Sequence, residues 1–281
     1  MAHGITGIDH ALIGVRDLEA ARMAYTRLGF TLSPRGRHIG WGTANYCVMF
    51  DEDYLELLGI VDPSQFSNNL DQFLAKREGG LGLAYATKDA SASAASLADA
   101  GLTPGEARDL ARQLELPEGT VLPRFKLLFP PASELPGLSS FICQHLTPEL
   151  LSRPEWLAHA NRIVGLQGVT VLVEDAADLV EPYERLFGPN AVNTTDDVLT
   201  VHAGRHRLVF GTAFDLEAMH PTVDLMDIVP SGIALITLVS GDLESTIDYL
   251  TTWQIEFEVI GRSVLIPAEA AAGAALEIVA G

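Results

Sequence analysis

The chain has 281 residues, 48% of them hydrophobic, and its 18 Lys and Arg against 37 Asp and Glu give a formal net charge of −19. That length suits one large domain or two of about 140 residues each, and that composition supplies sizeable cores and excludes a disordered chain. The acidic field repels phosphate backbones and anionic lipid headgroups, so neither nucleic acid nor a membrane surface is an expected partner.

No charged-then-apolar leader occurs, nor a run of roughly 18 apolar residues, so the expectation is a cytoplasmic protein. Cys47 and Cys143 each lie in an apolar run, where they read as small buried hydrophobes and not as a disulfide framework.

The first unit runs from Gly7. Ile8, His10 and Leu12 fall on one strand face and Ala11, Ile13 and Val15 on the other. Both faces are mostly apolar, which predicts burial on both sides. Asp17 is a helix N-cap, and Leu18, Ala21, Tyr25 and Leu28 form the apolar face of the helix that Gly29 stops. Strands are predicted at 30–33, 45–50 and 54–60, the last two joined by an Asp51-Glu52-Asp53 turn. The second unit starts at Gly82 with Asp89 as cap, and its later strands at 106–111, 124–129 and 139–145 are separated by proline-rich loops.

Residues 147–166 read as a helical linker, because Thr147-Pro148-Glu149 is a helix-start signal and Pro154 divides it from a second piece with Trp156. The third unit spans 168–188 with Asp175 as cap, followed by a hairpin near 198–210. The fourth has a strand at 233–239, Asp242 as cap, and strands at 256–260, 263–266 and 275–279. Seven residues before Asp17, Asp89, Asp175 and Asp242 stand His10, Gly82, Gly168 and Leu235. Four strand–Asp–helix units in one register are an internal repeat.

A chain of four βαβββ units resembles the vicinal-oxygen-chelate superfamily, which includes glyoxalases, bleomycin-resistance proteins and extradiol dioxygenases. More narrowly, four stretches resemble a glyoxalase-like domain family. They are GIDHALIGVRDLEAA, the Gly36-to-Asn45 segment, Tyr54-Leu55-Glu56-Leu57, and Ile142 to His159. One departure stands out: the family's His-Pro-Asn-Gly turn is replaced by His159-Ala160-Asn161-Arg162. The resemblance implies an α+β fold in which modules pair into two partly open mixed-sheet barrels. The N-terminal glyoxalase-like domain would cover 1–146, and a second, degenerate one 167–281.

Superfamily metal ligands come from the first and last strands of paired units. Carried onto this chain, that implies His10 and Glu56. In the second unit Gly82 replaces the first ligand, and the last strand offers either Gln144 or His145, which point to opposite faces. His145 is preferred. Two imidazoles and a carboxylate suit a divalent ion, with Zn²⁺, Mn²⁺, Ni²⁺ and Fe²⁺ about equal on ligand type. Glu56 is the candidate catalytic base, and a carboxylate on that strand face is costly unless paired or coordinated. Arg37, His38, Trp41 and Asn45, in a glycine-rich loop, are the candidate substrate contacts. Trp156 and His159 are placed near the barrel mouth, and His206 at the surface.

The C-terminal half has Gly168, Leu235 and Val209 at the corresponding positions, with Glu277 its one carboxylate there. It reads as scaffold or a homodimer surface, which lowers the extradiol reading. The first functional expectation is a metal-dependent lyase, isomerase or oxygenase acting on a small oxygenated molecule. A metal-free module that sequesters small ligands, as in bleomycin resistance, is the second, and a structural dimer with a vestigial cleft the third.

Overall fold

Capping and burial set each unit's opening. β1 (Ile5–Gly14) is buried along its length except at Thr6. After it, the Asp17 carboxylate accepts hydrogen bonds from the Glu19 and Ala20 N–H groups, 3.0 and 2.9 Å away. These are donors that a helix leaves free in its first turn. α1 (Leu18–Arg27) then runs with Leu18, Ala21 and Tyr25 facing inward. The structure, a computed structural model, describes residues 2–226, 228 and 230–281.

The first unit continues with β2 (Gly36–His38), β3 (Thr43–Met49) and β4 (Tyr54–Ile60), and α2 (Leu70–Leu74) follows it. The second comprises β5 (Gly79–Thr87), α3 (Ala90–Asp99), β6 (Glu106–Leu116), β7 (Gly119–Val121), β8 (Arg124–Phe129) and β9 (Ser140–His145). The third has β10 (Ile163–Leu172), α4 (Val180–Phe187), β11 (Val192–Thr195), β12 (Val198–Ala203) and β13 (His206–Gly211), with α5 (Ala213–Met219) after it. The fourth is β14 (Gly232–Ser240), α6 (Leu243–Thr252), β15 (Glu258–Ile260), β16 (Ser263–Ile266) and β17 (Leu276–Ala280).

In every unit the first strand runs parallel to the last: β1 with β4, β5 with β9, β10 with β13 and β14 with β17. First strands pair antiparallel between units, β1 with β5 and β10 with β14. The strand orders are β2-β3-β4-β1-β5-β9-β8-β6-β7 and β11-β12-β13-β10-β14-β17-β16-β15. β2 also pairs with β6, Gly36 opposite Leu114 and His38 opposite Arg112, which closes the first sheet into a barrel with β7 outside. The α+β class and the four modules are as the repeat implied. The C-terminal sheet is the open one; the N-terminal barrel is closed.

Local departures have physical causes. Residues 30–33 are not a strand, because Ser33 is tied to Cys47 of β3 by its own N–H and by its hydroxyl, and Pro34 then ends any ladder. Gly36 to His38 is a strand, not a loop. The linker holds two single turns of 3₁₀-helix, Pro148–Leu150 and Pro154–Trp156, because the second proline cuts off the helix the first begins. Asp175 caps a 3₁₀ turn that precedes α4, not α4 itself. Among the described residues no helix is long and apolar enough to cross a membrane.

One buried cluster runs through both halves, from Ile5, Tyr25 and Tyr85 to Phe210, Leu238 and Ile278. The barrel interior has its own smaller clusters. The halves are also latched by polar groups. Asp53, whose side chain is fully buried, accepts from the Leu166 N–H at 2.9 Å and pairs with Arg205 and with His206 Nε2. His206 is therefore buried and not at the surface, and its Nδ1 accepts the Ile8 N–H at 3.0 Å. Glu52 also pairs with Arg205, but from a side chain 65% exposed.

A buried carboxylate that anchors several partners is costly to remove, whereas an exposed pair contributes little. Asp53→Ala should cost about 3 kcal/mol of stability in denaturant unfolding. Glu52→Ala should cost under about 1 kcal/mol. Equal losses would refute this account of the latch.

Candidate functional site

The site begins with an irregularity in β1. Its register against β5 shifts between Ile8, opposite Tyr85, and His10, opposite Ala84, which leaves Asp9 as the extra residue of a bulge. A regular strand would point Asp9 and His10 to opposite faces. Here the Asp9 carboxylate accepts from His10 Nδ1 at 2.7 Å and from His145 Nε2 at 3.0 Å through the same oxygen, Oδ2. The His10 ring stacks on Tyr54 at 4.4 Å and meets Phe141 edge-on at 5.7 Å.

On β4, Glu56 lies opposite Leu12 and turns its carboxylate into the barrel. Its Oε2 is 3.2 Å from His10 Nε2, without the alignment of a hydrogen bond, so that nitrogen is buried with no partner. Its Oε1 accepts a short hydrogen bond from Asn45 Nδ2 and lies 3.7 Å from His38 Nε2. His38 Nδ1 in turn bonds Thr43 Oγ1 at 2.8 Å. The result is a continuous polar line across the barrel, from His145 through Asp9, His10 and Glu56 to His38 and Thr43.

Its His10, Glu56, His38 and Thr43 members line a cavity of about 90 Å³, with Asp9 and His145 behind them. About one-sixth of that volume suffices for a single water, so the cavity takes a small organic molecule or several waters. The rest of the wall is largely apolar, with Leu12, Leu58, Leu110, Phe125, Leu127 and Phe141 prominent. It contains one buried arginine, Arg112 of β6.

The electrostatics are strongly polarised. Burial lowers the affinity of the His10 ring for its proton, but the hydrogen bond to Asp9 and the nearby Glu56 outweigh it and raise the pKa to about 9. Burial acts to raise both carboxylates, yet the imidazoles and Asn45 prevail: Glu56 falls to about 2, and Asp9 lies below the ordinary carboxylate range. His38 goes the other way, to about 4, because burial dominates over the attraction of Glu56. In the metal-free protein His10 is therefore cationic at neutral pH and His38 is neutral.

Of the residues singled out from sequence, the structure brings His10, Glu56, His38 and Asn45 into one cluster and puts Trp41 on the same cavity wall. His145 faces inward but meets Asp9, not Glu56. Gln144 faces outward, where it accepts the Ala90 N–H and donates to the Lys88 carbonyl, so the choice of face on β9 is settled. Arg37 is exposed on the outer face of β2. His159 braces the linker, accepting the Thr31 N–H and donating to the Met49 carbonyl, and Trp156 is buried against Cys47 and Leu151.

Asp9 and Arg112 were not anticipated. A bulge leaves no mark in a single sequence. Arg112 did leave one: Leu110, Leu114 and Leu116 share its face of β6, and an arginine on an apolar face is a group held inside for a reason. Asp9, Cys143 and His145 also place ligand atoms within 4.8 Å of one another, the one such triad among the described residues.

The raised pKa of His10 has a definite stability consequence. Folding stabilises its proton, so this contribution is full below pH 6.5 and is lost as pH rises through about 9. Chelator-treated protein should lose stability across that window, and His10→Ala should lack the slope. The ring resonances of His10 should titrate near pH 9; a midpoint near 6.5 would refute the geometry described.

A family model described as "Glyoxalase-like domain" matches residues 8–187. No curated protein matches the sequence. Among solved structures, a hypothetical protein from Staphylococcus aureus is similar over 98% of this chain and 99% of its own, at 12% identity and a TM-score of 0.69. A triple mutant of 4-hydroxymandelate synthase from Streptomyces coelicolor is similar over 99% of this chain and 93% of its own, at 12% identity and a TM-score of 0.59. A xylose isomerase-like TIM barrel/4-hydroxyphenylpyruvate dioxygenase fusion protein matches 100% of this chain with 49% of its own, at 14% identity and a TM-score of 0.55. At such identities these likenesses concern the fold, which is that of the vicinal-oxygen-chelate superfamily. The family match spans more than half of the sequence, and on it the chain belongs to the glyoxalase-like domain family.

Proposed function

We propose that the protein is a metal-dependent enzyme of the glyoxalase superfamily, acting on a small oxygenated molecule inside the N-terminal barrel. The observation that carries this reading is His10 Nε2, buried, unpartnered and 3.2 Å from Glu56 Oε2. Two ligand atoms bound at right angles to one ion, at about 2.1 Å each, stand about 3 Å apart. His10 and Glu56 therefore fit a shared divalent ion as they stand. Asp9 supports the fit by holding Nδ1, which fixes the ring and leaves Nε2 as the donor nitrogen. His145 enters through Asp9, whose carboxylate it shares with His10.

A bound divalent ion supplies Lewis-acid polarisation of a substrate carbonyl or hydroxyl. The protein's own groups do the rest. Glu56, ionised across the physiological range, is placed to take a proton from a substrate atom in the cavity. Asn45 fixes the orientation of that carboxylate, and the leucine and phenylalanine walls keep bulk water out. One structural neighbour is named a dioxygenase and another a synthase, which supports keeping oxygenase beside lyase and isomerase as reaction classes; Fe, Zn, Ni and Mn suit these donors about equally.

A metal-free binding module is the second reading, and one observation favours it. Gly82 and Phe141 occupy in the second unit the positions of His10 and Glu56 in the first, so the cavity has donors on one side only. Metal content separates the two. Protein purified without chelator, then reloaded, should hold about one divalent ion per chain, and His10→Ala should hold under about a tenth of one. Well under one ion per chain in the wild type would sink the enzyme reading. Because the ion displaces a proton from His10, its affinity should rise with pH by up to about tenfold per unit until about pH 9. Calorimetry in buffers of different ionisation enthalpy reads the released proton.

A further inference from the structure

We propose that Arg112 is the anchor for a carboxylate, so that the barrel's ligand is a small monocarboxylic acid with an apolar or aromatic body. The inference rests on the same cavity being the working site, and it names the class of molecule that enters it.

Arg112 is 2% exposed and lines the cavity. Among the described residues no carboxylate lies within 4.0 Å of its guanidinium, and its Nε has no hydrogen-bond partner. Its Nη1 donates to Cys47 Sγ, at 3.0 Å. That sulfur is no counter-ion, since burial pushes the Cys47 thiol up to about 11, and a neutral thiol is a weak acceptor. Glu56 attracts Arg112 from farther off but is hydrogen-bonded to Asn45 and lies against His10. An arginine keeps its charge in this setting, and a buried charge without a partner is strongly unfavourable. The site is complete only when an anion supplies the missing half of the pair.

The barrel is built to admit this side chain. Gly36 of β2 lies where an added Cβ would collide with Asn45 and with the Arg112 stem, including Cγ at 2.8 Å. The stem crosses at a glycine, and the guanidinium then lies 5.9 Å from the centre of the Phe125 ring. Leu110, Leu127 and Phe129 continue the apolar surface beside it.

These features select the ligand. The planar fork of a guanidinium matches the two oxygens of a carboxylate. His10 is already balanced by Asp9 and Glu56, so Arg112 alone is left to meet an incoming negative charge, and the second charge of a phosphate would go uncompensated. No lysine lines the cavity to supply more. A cavity of about 90 Å³ limits the body to a few carbons or one ring.

The test compares acids with amides of the same shape. Isobutyrate and phenylacetate, against isobutyramide and phenylacetamide, are titrated by calorimetry into wild-type protein held in chelator. At least one acid should bind, about tenfold or more tighter than its amide. Arg112→Met should lose that advantage, Arg112→Lys should retain part of it, and His10→Ala should keep it. Equal affinity for acid and amide, binding of neither, or undiminished acid binding by Arg112→Met overturns the proposal. Should Arg112→Met not fold, the Arg112 Nε–H resonance of the wild type decides: it must shift with the acid and stay with the amide. Acid discrimination without metal uptake refutes the metal reading alone, and metal uptake without acid discrimination refutes this one alone.

Discussion

A single carboxylate oxygen, Asp9 Oδ2, organises the interior of the N-terminal barrel. It receives two imidazoles, His10 from its own strand and His145 from β9. By occupying Nδ1 of His10 it decides which nitrogen of that ring faces the cavity. Burial of a lone carboxylate is unfavourable, and so is burial of a lone imidazolium; together they stabilise one another and impose one orientation. The bulge that turns Asp9 inward is thus the origin of the site's polarity. Without it the same two residues would point to opposite faces.

Closure of the barrel contributes the opposite wall. The β2–β6 pairing places His38 against Arg112 and Gly36 against Leu114. A barrel left open on this side would expose Arg112 to water, where a guanidinium needs no partner. Closure converts it into a buried charge, and Cys47, a small sulfur residue, leaves it only a soft neighbour. The two ends of the cavity are therefore different in kind: a dense polar line around His10 and Glu56, and an isolated cation on an apolar bed.

Much of this order was legible in the chain itself. The Asp caps mark the unit length, a local property fixed by helix capping. His10 and Glu56 stand out through the family resemblance, because strands buried on both faces carry no alternation to single out an inward one. What escaped was set by pairing across the chain. Arg37 and His38 look like loop residues in the sequence because their strand is three residues long and exists only through β3 and β6. A sequence cannot show that a strand slips by one residue at Asp9, and that slip moves a carboxylate from one face to the other. His206 resembled a turn residue because it borders the Gly204-Arg205 turn, yet its partners, Ile8 and Asp53, lie some 150 to 200 positions away.

The tie between His206 and the Ile8 N–H gives the C-terminal half a hold on the site without any chemistry of its own. That bond reaches β1 just before the bulged segment, so the half without evident chemistry grips the strand that carries it. Even Gly168, which stands where the first unit has His10, is fixed by packing, since an added Cβ would run into the Arg207 backbone. A change at His206 would therefore reach Asp9 and His10 along the strand, from outside the cavity.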